Sequence, residues 1–453
     1  MRSLKPGKDD HILSLIDDRP DDGAFTVHPD VYADPDIFDL ELRHIFARTW
    51  IYLGHASQLD GDGGYFTTRI GRSPVLVTRQ GSRLSGFLNI CRHKGALLCR
   101  LEEGSAKAFT CPYHSWTYSN TGRLIGIKDR SAGHYPESFG NDDHDLLPLA
   151  RIASYKGLIF GSLSPDVPTL ETFLGDLRPI LDLILEQGPE GMELIPGRAP
   201  YRFKANWKLQ VDNGLDPYHV TSAHRSLVDM QKQRKPMEAP PASIRGMDWV
   251  KLRTVQHHAF NISNGHAIYV SDNPAPEGHM LAEQFDALRN RLGDKAAKAM
   301  LNAYQIHIFP NLQIASSVTT IIRRFHPVSV DETEMDVRCL GAVGESVRDR
   351  QLRLRQFEDF FGAAGLASPD DSIIYEDCQR GFASFDLKPL QGYVRGLTLM
   401  SNTPNAQARD FGICPDQSLS SPAAVATEMN LHSPYREWRR MIRCGIRGEA
   451  VYA

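Results

Sequence analysis

The chain has 453 residues, of which 41% are hydrophobic and 23% charged, and its formal net charge is -4. This composition is typical of an ordinary globular protein, and the length allows two or three domains with a sizeable core. The lack of a basic excess argues against a nucleic-acid partner, and the lack of about 18 consecutive apolar residues argues against a membrane span. The first residues contain no apolar secretion segment, so we expect a cytoplasmic protein that acts on small molecules.

Short strands separated by turns are predicted from about residue 65 to residue 165. Turn residues occur at Gly81 and at 120–122 (Asn-Thr-Gly), between segments rich in β-branched and aromatic residues. The pattern predicts a small antiparallel β domain within 46–165. The segments that we expect to form its strands are YFTTRI, PVLVTR, LSGFLNI, WTYSNTGRLIGI and GLIFGSL.

Helices mixed with strands are predicted after residue 165. One helix should begin at Pro179 and end before Gly188, and another should run from Val347 to Gly362. Apolar residues at helical spacing predict further helix within 280–304, and strands are expected at 316–326 and 333–341. We therefore predict an α+β fold. The all-β domain would be inserted in a larger domain of 1–45 and 166–453, with an antiparallel sheet flanked by helices.

Seven cysteines, thinly scattered and odd in number, argue for reduced thiols or metal ligands rather than a disulfide framework. Two of them lie in CRH at 91–93 and CPYH at 111–114, so each segment offers one thiolate and one imidazole. Two Cys and two His can bind tetrahedral zinc or a Rieske-type [2Fe–2S] cluster, and the spacing alone does not decide between them. Gly95, Pro112 and the aromatic residues of PYHSW suit two close-packed loops over a buried cluster.

A second pair of histidines lies in DPYHVTSAH at 216–224. On an ideal helix, His219 and His224 would be separated by about 140° of rotation, so they share a face only if the helix is distorted, and Pro217 favours such a distortion. Several polar residues precede them in an otherwise apolar stretch, where a metal would satisfy them. Ordinary core or surface histidines are the alternative. These polar residues are Asp212, Asn213 and Asp216.

An iron held by two histidines and one carboxylate would keep positions open for dioxygen, and ASPDDSIIYEDCQ at 367–379 supplies acidic candidates. In isolation, an acidic pair after a proline is typical of a turn or a helix N-cap. The choice between these interpretations does not follow from the segment alone.

CRHKG and CPYHSW resemble the Rieske signature of the large subunits of aromatic ring-hydroxylating dioxygenases. The resemblance covers nearly the whole chain and is closest to benzoate, toluate, halobenzoate and anthranilate dioxygenases, through GALLCR, NWKLQ, QFEDFF and SPDD. It implies that Cys91 and Cys111 bind one iron of a [2Fe–2S] cluster, while His93 and His114 bind the other. Lys94 stands where this family usually has Arg, and we expect the cluster to bind nevertheless.

The resemblance also implies a mononuclear Fe(II) bound by His219, His224 and Asp371, with Asp370 as the second candidate for the carboxylate. Asp216 corresponds to the bridging aspartate of the family. It would be hydrogen-bonded between His114 of one subunit and His219 of the next, and would couple the cluster to the iron. A helix cap is the alternative role for Asp216.

The activity that the resemblance implies is addition of both atoms of dioxygen to an aromatic ring, giving a cis-dihydrodiol or a catechol, with a benzoate- or anthranilate-type substrate. Electrons would come from NADH through a reductase, with or without a ferredoxin. We expect a homotrimer of large subunits together with a small β subunit. Monohydroxylation of a salicylate-like ring, or demethylation, is an alternative. A more remote alternative is an electron carrier or a structural zinc protein without oxygenase activity.

A carboxylated substrate would need a cationic or polar partner. The sequence offers several candidates, each of which is by itself typical of a surface or structural position because strand alternation does not reveal which face points to a pocket. We also expect the pair His257 and His258 to be exposed. The candidates are Asn213, His307, Arg323, Arg324 and Gln379.

Overall fold

The computed structural model describes residues 8–141, 143–226, 229, 255–273, 279–317, 319–384, 387–421 and 427–452. The chain divides into two compact units. One comprises Phe46–Leu170 with Tyr452 and contains short strands, and the other comprises Met1–Ile45 and Glu171–Val451 and contains one large sheet with helices. The predicted α+β class is confirmed.

The strands of the described residues are numbered in chain order. They are β1 Ile16–Arg19, β2 Ala24–Val27, β3 Ile51–His55, β4 Gly64–Ile70, β5 Ser73–Gln80, β6 Arg83–Leu88, β7 Glu103–Ser105, β8 Ala108–Thr110, β9 Thr117–Ser119, β10 Leu124–Gly126, β11 Arg151–Tyr155, β12 Leu158–Ser162, β13 Met192–Leu194, β14 Ala199–Phe203, β15 His257–Ile262, β16 His266–Ser271, β17 Ala303–Ile308, β18 Leu312–Ser316, β19 Thr320–Ser329, β20 Glu332–Ala342 and β21 Gln417–Ser421.

The α-helices of the described residues are numbered in the same way. They are α1 Lys8–Ser14, α2 Asp30–Ala33, α3 Pro35–Glu41, α4 Leu170–Leu174, α5 Arg178–Leu185, α6 Trp207–Leu215, α7 Val220–Ala223, α8 Phe285–Leu292, α9 Asp294–Ala299, α10 Val347–Phe360, α11 Ser368–Phe382, α12 Ala406–Phe411 and α13 His432–Arg447.

The smaller unit consists of three antiparallel sheets, with the strand orders β6-β5-β4-β7, β10-β9-β8 and β11-β12-β3. All five predicted segments contain strands, and the predicted turn at 120–122 separates β9 from β10. The segment CRH lies between β6 and β7, and CPYH lies between β8 and β9. A common core that includes Leu76, Tyr118 and both cysteines, Cys91 and Cys111, underlies the two loops.

The larger unit is built on a nine-stranded antiparallel sheet of order β13-β20-β19-β18-β17-β16-β15-β21, in which β14 also pairs with β20. The predicted strands are β19 and β20, and the predicted helices α5 and α10 begin within one residue of their expected starts. Within 280–304 the helix is interrupted at Gly293, whose φ of 89° separates α8 from α9.

Helix α6 packs closely on this sheet. A Cβ on Gly214 would lie only 2.2 Å from Gln313 Oε1 on β18, so this position has no room for a larger side chain. Gln313 Nε2 donates to the carbonyls of Gln210 and Val211, 3.0 and 3.3 Å away, within the helix. These hydrogen bonds fix the position of the helix that leads to the histidine pair.

Two buried carboxylates connect α6 to distant parts of the chain. Glu41 accepts hydrogen bonds from the indoles of Trp207 and Trp438 and pairs with Lys208. Asp212 accepts hydrogen bonds from three tyrosine hydroxyls, and burial raises the pKa of this carboxyl to about 7. The hydroxyls belong to Tyr32, Tyr393 and Tyr435.

The expected exposure of His257 and His258 is wrong. Both are buried because β15 pairs on both sides, with β16 and with β21. Their Nδ1 atoms lie 2.9 Å from Ser271 Oγ and 2.7 Å from Ser420 Oγ, respectively. In the part of the chain that is described, no helix has the length and apolar composition needed to cross a bilayer.

Candidate metal centres

The two loops of the smaller unit have the same local backbone geometry. In the first, Cys91 N donates to Ala96 O and Gly95 N donates to Cys91 O. In the second, Cys111 N donates to Trp116 O and Ser115 N donates to Cys111 O. Gly95 and Ser115 occupy equivalent positions with φ values of 75° and 58°. The two loops are therefore matching turns, each of which presents one cysteine and one histidine.

The two cysteines lie close to each other, and so do the two histidines. Cys91 and Cys111 are buried and close enough to interact, and the rings of His93 and His114 are 4.5 Å apart between centroids. His93 stacks on Trp116, and its Nδ1 is buried with no hydrogen-bond partner among the described residues. A buried imidazole nitrogen without a partner costs free energy unless a ligand binds it. The donor set thus fits a cluster with two thiolate and two imidazole ligands.

The helix that carries the histidine pair is interrupted, as the spacing of the pair requires. Helix α6 ends at Leu215, Asp216 is extended, and the one-turn helix α7 follows, with His219 at its amino end and His224 at its carboxyl end. The Asp216 carboxylate accepts hydrogen bonds from the backbone N–H groups of Tyr218 and His219, in the turn between α6 and α7. Because the two histidines flank a single turn, their rings lie only 5.3 Å apart between centroids.

Asp371, in the first turn of α11, completes a three-residue group with this pair. Its Oδ1 lies 3.6 Å from His219 Nε2 and 3.3 Å from His224 Nε2. Atoms that are each ~2.1 Å from one metal ion lie ~3.0–3.4 Å apart at octahedral to tetrahedral angles. Among the described residues, this is the group whose ligand atoms all lie within 4.8 Å of one another. The donor set of two imidazoles and one carboxylate fits mononuclear iron.

Neighbouring polar groups orient the three side chains. The Nδ1 atoms of His219 and His224 lie 3.3 Å from carboxylate oxygens of Asp216 and Asp370, respectively. Asp370 thus contacts the opposite edge of the His224 ring from Asp371. The Asn213 amide donates to Asp371 Oδ1 over 3.0 Å and lies 3.3 Å from His219 Nε2.

The protonation of Asp371 follows from its surroundings. Burial pushes the pKa of this carboxyl upward, but the hydrogen bond with His224 and the positive charges of His219, His224 and Arg323 together hold it below its ordinary value. Burial lowers the pKa of His224, but Asp371 and Asp370 together raise it above its ordinary value. Asp371 is therefore ionised at neutral pH, which is the form that binds a metal.

The three-residue group borders a partly enclosed cavity in the larger unit. Its wall is partly apolar, with Val220, Phe360, Phe361 and Ala367, and also includes the polar side chains of Tyr269, Ser271, Gln305 and Ser317. Arg323 is the cationic residue that lines it. A cavity with an apolar surface and a few polar groups beside a metal site is suited to a small aromatic molecule.

Comparison with known proteins identifies the two units. Residues 49–150 match the Rieske [2Fe-2S] domain, and residues 195–443, more than half of the chain, match the catalytic domain of the ring hydroxylating alpha subunit. The chain belongs to the ring-hydroxylating alpha subunit family. It is thus a ring-hydroxylating oxidoreductase with a Rieske [2Fe–2S] cluster and a mononuclear non-heme iron, in a family whose members typically receive electrons from NADH through a reductase.

Several alpha and large subunits are similar over almost their full length. The toluate 1,2-dioxygenase subunit alpha of Pseudomonas putida is 37% identical over 412 residues, 90% of each chain. The 2-halobenzoate 1,2-dioxygenase large subunit of Burkholderia cepacia is 34% identical over 441 residues, 97% of this chain and 94% of the relative. Naphthalene 1,2-dioxygenase from a Rhodococcus species, solved with indole, has a TM-score of 0.78 at 27% identity, covering 92% of this chain and 94% of that one.

The structure separates the residues that we considered for binding a carboxylated substrate. Arg324 pairs with Asp336 over 2.8 Å, and His307 is fully buried against Phe325. Gln379 accepts a hydrogen bond from Asn206 N and donates to Tyr32 O, so it connects segments of the fold. Asn213 contacts the candidate ligands of the iron, and Arg323 lines the cavity.

Sequence reasoning missed most of the cavity wall. Gln305 lies on β17, Ser317 directly follows β18 and Phe360 ends α10, and nothing in their own segments points to a ligand. The alternation along β17 gives the face of a residue but not which face borders a cavity. Only the position of α6 and α11 on the sheet reveals this.

Proposed function

We propose that this chain adds both atoms of dioxygen to the ring of an aromatic carboxylate of benzoate or anthranilate type, giving a cis-dihydrodiol or a catechol. The observation that carries this proposal is the convergence of His219, His224 and Asp371 at the wall of one cavity. The names of two relatives support the substrate class, since toluate and 2-halobenzoate are both substituted benzoates.

The proposed ligands of the mononuclear iron are His219, His224 and Asp371. When bound, the iron supplies a site at which dioxygen is activated, because this ligand type leaves coordination positions open. Asp216 and Asp370 hold the two imidazole rings through their Nδ1 atoms, so that both Nε2 lone pairs point toward Asp371. The Phe360 side chain in the cavity wall helps to keep water away from the ring that is to be oxidised.

The proposed ligands of the Rieske cluster are Cys91 and Cys111 on one iron, and His93 and His114 on the other, within a domain at 46–165. The matching turns of the two loops support this assignment, as does the buried Nδ1 of His93. Lys94 has an exposed side chain, so the change from the usual Arg removes no buried contact. Visible absorption and low-temperature EPR of the purified protein test the assignment, because a colourless zinc protein would contradict it.

Asp216 is proposed to connect the cluster of one subunit to the iron of the next. Its Oδ2 lies 3.3 Å from His219 Nδ1, and its side chain remains 20% exposed. His114 is also exposed, as a histidine that meets another subunit should be before assembly. Asp216 ends α6 and its carboxylate accepts backbone hydrogen bonds in the turn that follows, and in the proposed assembly it would also accept a hydrogen bond from His114 of a neighbouring subunit.

The proposed assembly is a trimer of large subunits with a small β subunit. Relatives named as an alpha subunit and a large subunit are by those words parts of larger enzymes. We propose that electrons come from NADH through a reductase, either directly or through a separate ferredoxin. We propose the cytoplasm as the compartment because NADH is available there, and the cysteines of the chain are free thiols.

The test is turnover of benzoate, anthranilate and salicylate with NADH and a compatible reductase under oxygen-18 dioxygen. We expect benzoate or anthranilate to give a product that contains two labelled oxygen atoms. One labelled atom would replace the dioxygenase proposal with the monohydroxylation alternative. Failure of all carboxylated rings, with turnover of a neutral ring such as toluene, would overturn the substrate class.

A further inference from the structure

Unlike Arg324, Arg323 has no hydrogen-bond or ion-pair partner among the described residues. It lies on β19 opposite Gln313 and Val337, and within the described residues its guanidinium forms no hydrogen bond or ion pair. The next residue, Arg324, points to the other face of the strand and pairs with Asp336. A half-buried guanidinium that lines a cavity without an anion has given up part of its hydration and gained no charge partner.

The guanidinium of Arg323 is nevertheless held in place. It lies over the ring of Phe361, 5.1 Å from the ring centroid, which is within the range of a cation–π contact. This contact uses no hydrogen bond, so the N–H donors of the guanidinium, which match a carboxylate, stay available to a ligand. The side chain is thus prepared for an anion that approaches from the cavity.

The acid nearest to Arg323 among the candidate ligands does not fill this role. Asp371 is close enough for Arg323 to lower its pKa, but it forms no ion pair with Arg323. Its Oδ1 is already occupied by His219, His224 and Asn213. Among the residues that the structure describes, no carboxylate pairs with Arg323, which leaves this role to an anionic ligand in the cavity.

We propose that Arg323 binds the carboxylate of the aromatic substrate and is the main determinant of selectivity for acids over neutral rings. This inference rests on the proposed function, and it adds the residue that recognises the acid. Arg323, Val220, Phe360 and the candidate iron ligands all line the same cavity, so a carboxylate held at Arg323 would restrict how the ring can lie beside those ligands.

The competing role for Arg323 is to stabilise the ionised form of Asp371, which would make it a positioning residue for the iron. The two roles predict different losses. A carboxylate-binding residue affects the dissociation constant of benzoate and leaves the iron content unchanged. A positioning residue affects the iron content first, and affects acids and neutral rings alike.

The experiment compares Arg323→Gln and Arg323→Lys with the wild type, and uses Arg202→Gln as the matched control. Arg202 is an exposed arginine of the same sheet that pairs with Glu332 and Glu334, away from the cavity lining. Iron and cluster contents are measured for each protein. Binding of benzoate and of toluene is measured by calorimetry on the anaerobic oxidised enzyme without reductase, so that the readout does not depend on turnover.

We expect Arg323→Gln to weaken benzoate binding by about 30- to 100-fold, the effect of losing a charge-assisted bidentate contact. Arg323→Lys keeps the positive charge but loses the paired N–H donors of the guanidinium, and should weaken benzoate binding by about 10-fold. Toluene binding, iron content and cluster content should change by less than about twofold in both variants. Arg202→Gln should match the wild type throughout.

Unchanged benzoate binding in a fully loaded Arg323→Gln protein would overturn the inference, and so would loss of iron from both Arg323 variants. If Arg323→Gln does not fold, the Arg323→Lys result decides, because the inference requires a loss for benzoate without a loss for toluene. If the wild type itself prefers toluene, the proposed substrate class fails. If the wild type prefers benzoate and the variants keep this preference, the proposed role of Arg323 is contradicted, whereas the proposed substrate class is not.

Discussion

The candidate cluster ligands come from residues 91–114, in two loops that each connect short strands, whereas the candidate iron ligands come from residues 219–371 and depend on how α7 and α11 pack. In the loops, backbone hydrogen bonds within six residues already fix one cysteine and one histidine in each turn. At the iron site no single segment contains the geometry, because Asp371 meets the histidines only after the sheet and helices have assembled. The first site is local, and the second is a product of tertiary packing.

The largest expected effect comes from removing the carboxylate that joins the two halves of the iron site. Asp371→Ala should lose the mononuclear iron and lower turnover by at least ~10³-fold, since only two ligands remain and a metal-dependent reaction has no other site. The visible and EPR spectra of the cluster should stay unchanged, because its loops do not depend on α11. Iron analysis and spectroscopy of one preparation test both statements, and full iron content would exclude Asp371 as a ligand.

Asp216→Asn should have the next largest effect, and it tests whether the two sites communicate through this residue. Asparagine can still accept the hydrogen bond from Tyr218 N in the turn before α7, so both metals should be retained. Because the amide carries no charge to couple the two imidazoles, we expect turnover to fall by ~10²-fold or more. Stopped-flow oxidation of the reduced cluster measures the step directly, and a rate equal to that of the wild type would remove the proposed role.

Asp370→Ala is expected to weaken iron binding by about 10- to 100-fold without abolishing it. Asp370 contacts His224 through Nδ1, and loss of such an orienting carboxylate typically has an effect of this size. Competitive chelation monitored by iron release gives the affinity. A complete loss of iron, equal to that of Asp371→Ala, would instead mean that Asp370 is the carboxylate ligand.

The stability of the protein should depend on pH through Asp212, the buried carboxyl that connects α6 to distant parts of the chain. Burial raises the pKa of Asp212 to about 7, above the ordinary 3.8, so the folded state holds this proton where the unfolded chain has lost it. The stability contributed by protonated Asp212 is therefore lost as the pH rises through about 7, by at most ~1.4 kcal/mol per pH unit. Asp212→Asn should show a smaller decrease of Tm between pH 5 and pH 8. Parallel Tm curves for the two proteins would contradict the assignment.

The smallest effects are expected in the cluster loops, where strain is confined to single residues. Gly95 has a φ of 75° and open space where a methyl group would lie, so Gly95→Ala should cost about 1 kcal/mol through backbone strain alone. Ser115→Gly, at the equivalent position of the other loop, should change the free energy of unfolding by less than about 1 kcal/mol, in the stabilising direction. Thermal unfolding with the cluster spectrum as the readout distinguishes these outcomes, and a destabilised Ser115→Gly protein would refute the equivalence of the loops.

The sequence allowed the cluster loops, the strands around them and the α+β class to be predicted, because turns, strand alternation and ligand spacing are short-range properties. It also indicated that the histidine pair requires a broken helix, since two residues five apart do not share a helical face. The physical cause of the break is Pro217, because the residue before a proline disfavours helical geometry and Asp216 is extended. The family followed from motifs in these same segments. Ligand roles for the individual residues stay predictions.

Tertiary structure decided which residues surround the candidate iron ligands. Arg323 and Arg324 are adjacent in sequence, yet one lines a cavity and the other pairs with Asp336, because alternate residues of a strand point to opposite faces. The exposure expected for His257 and His258 was wrong for a related reason, since β15 receives partners on both sides from distant parts of the chain. Local sequence specifies the period of a strand, but its neighbours and the contents of each face are set only by long-range packing.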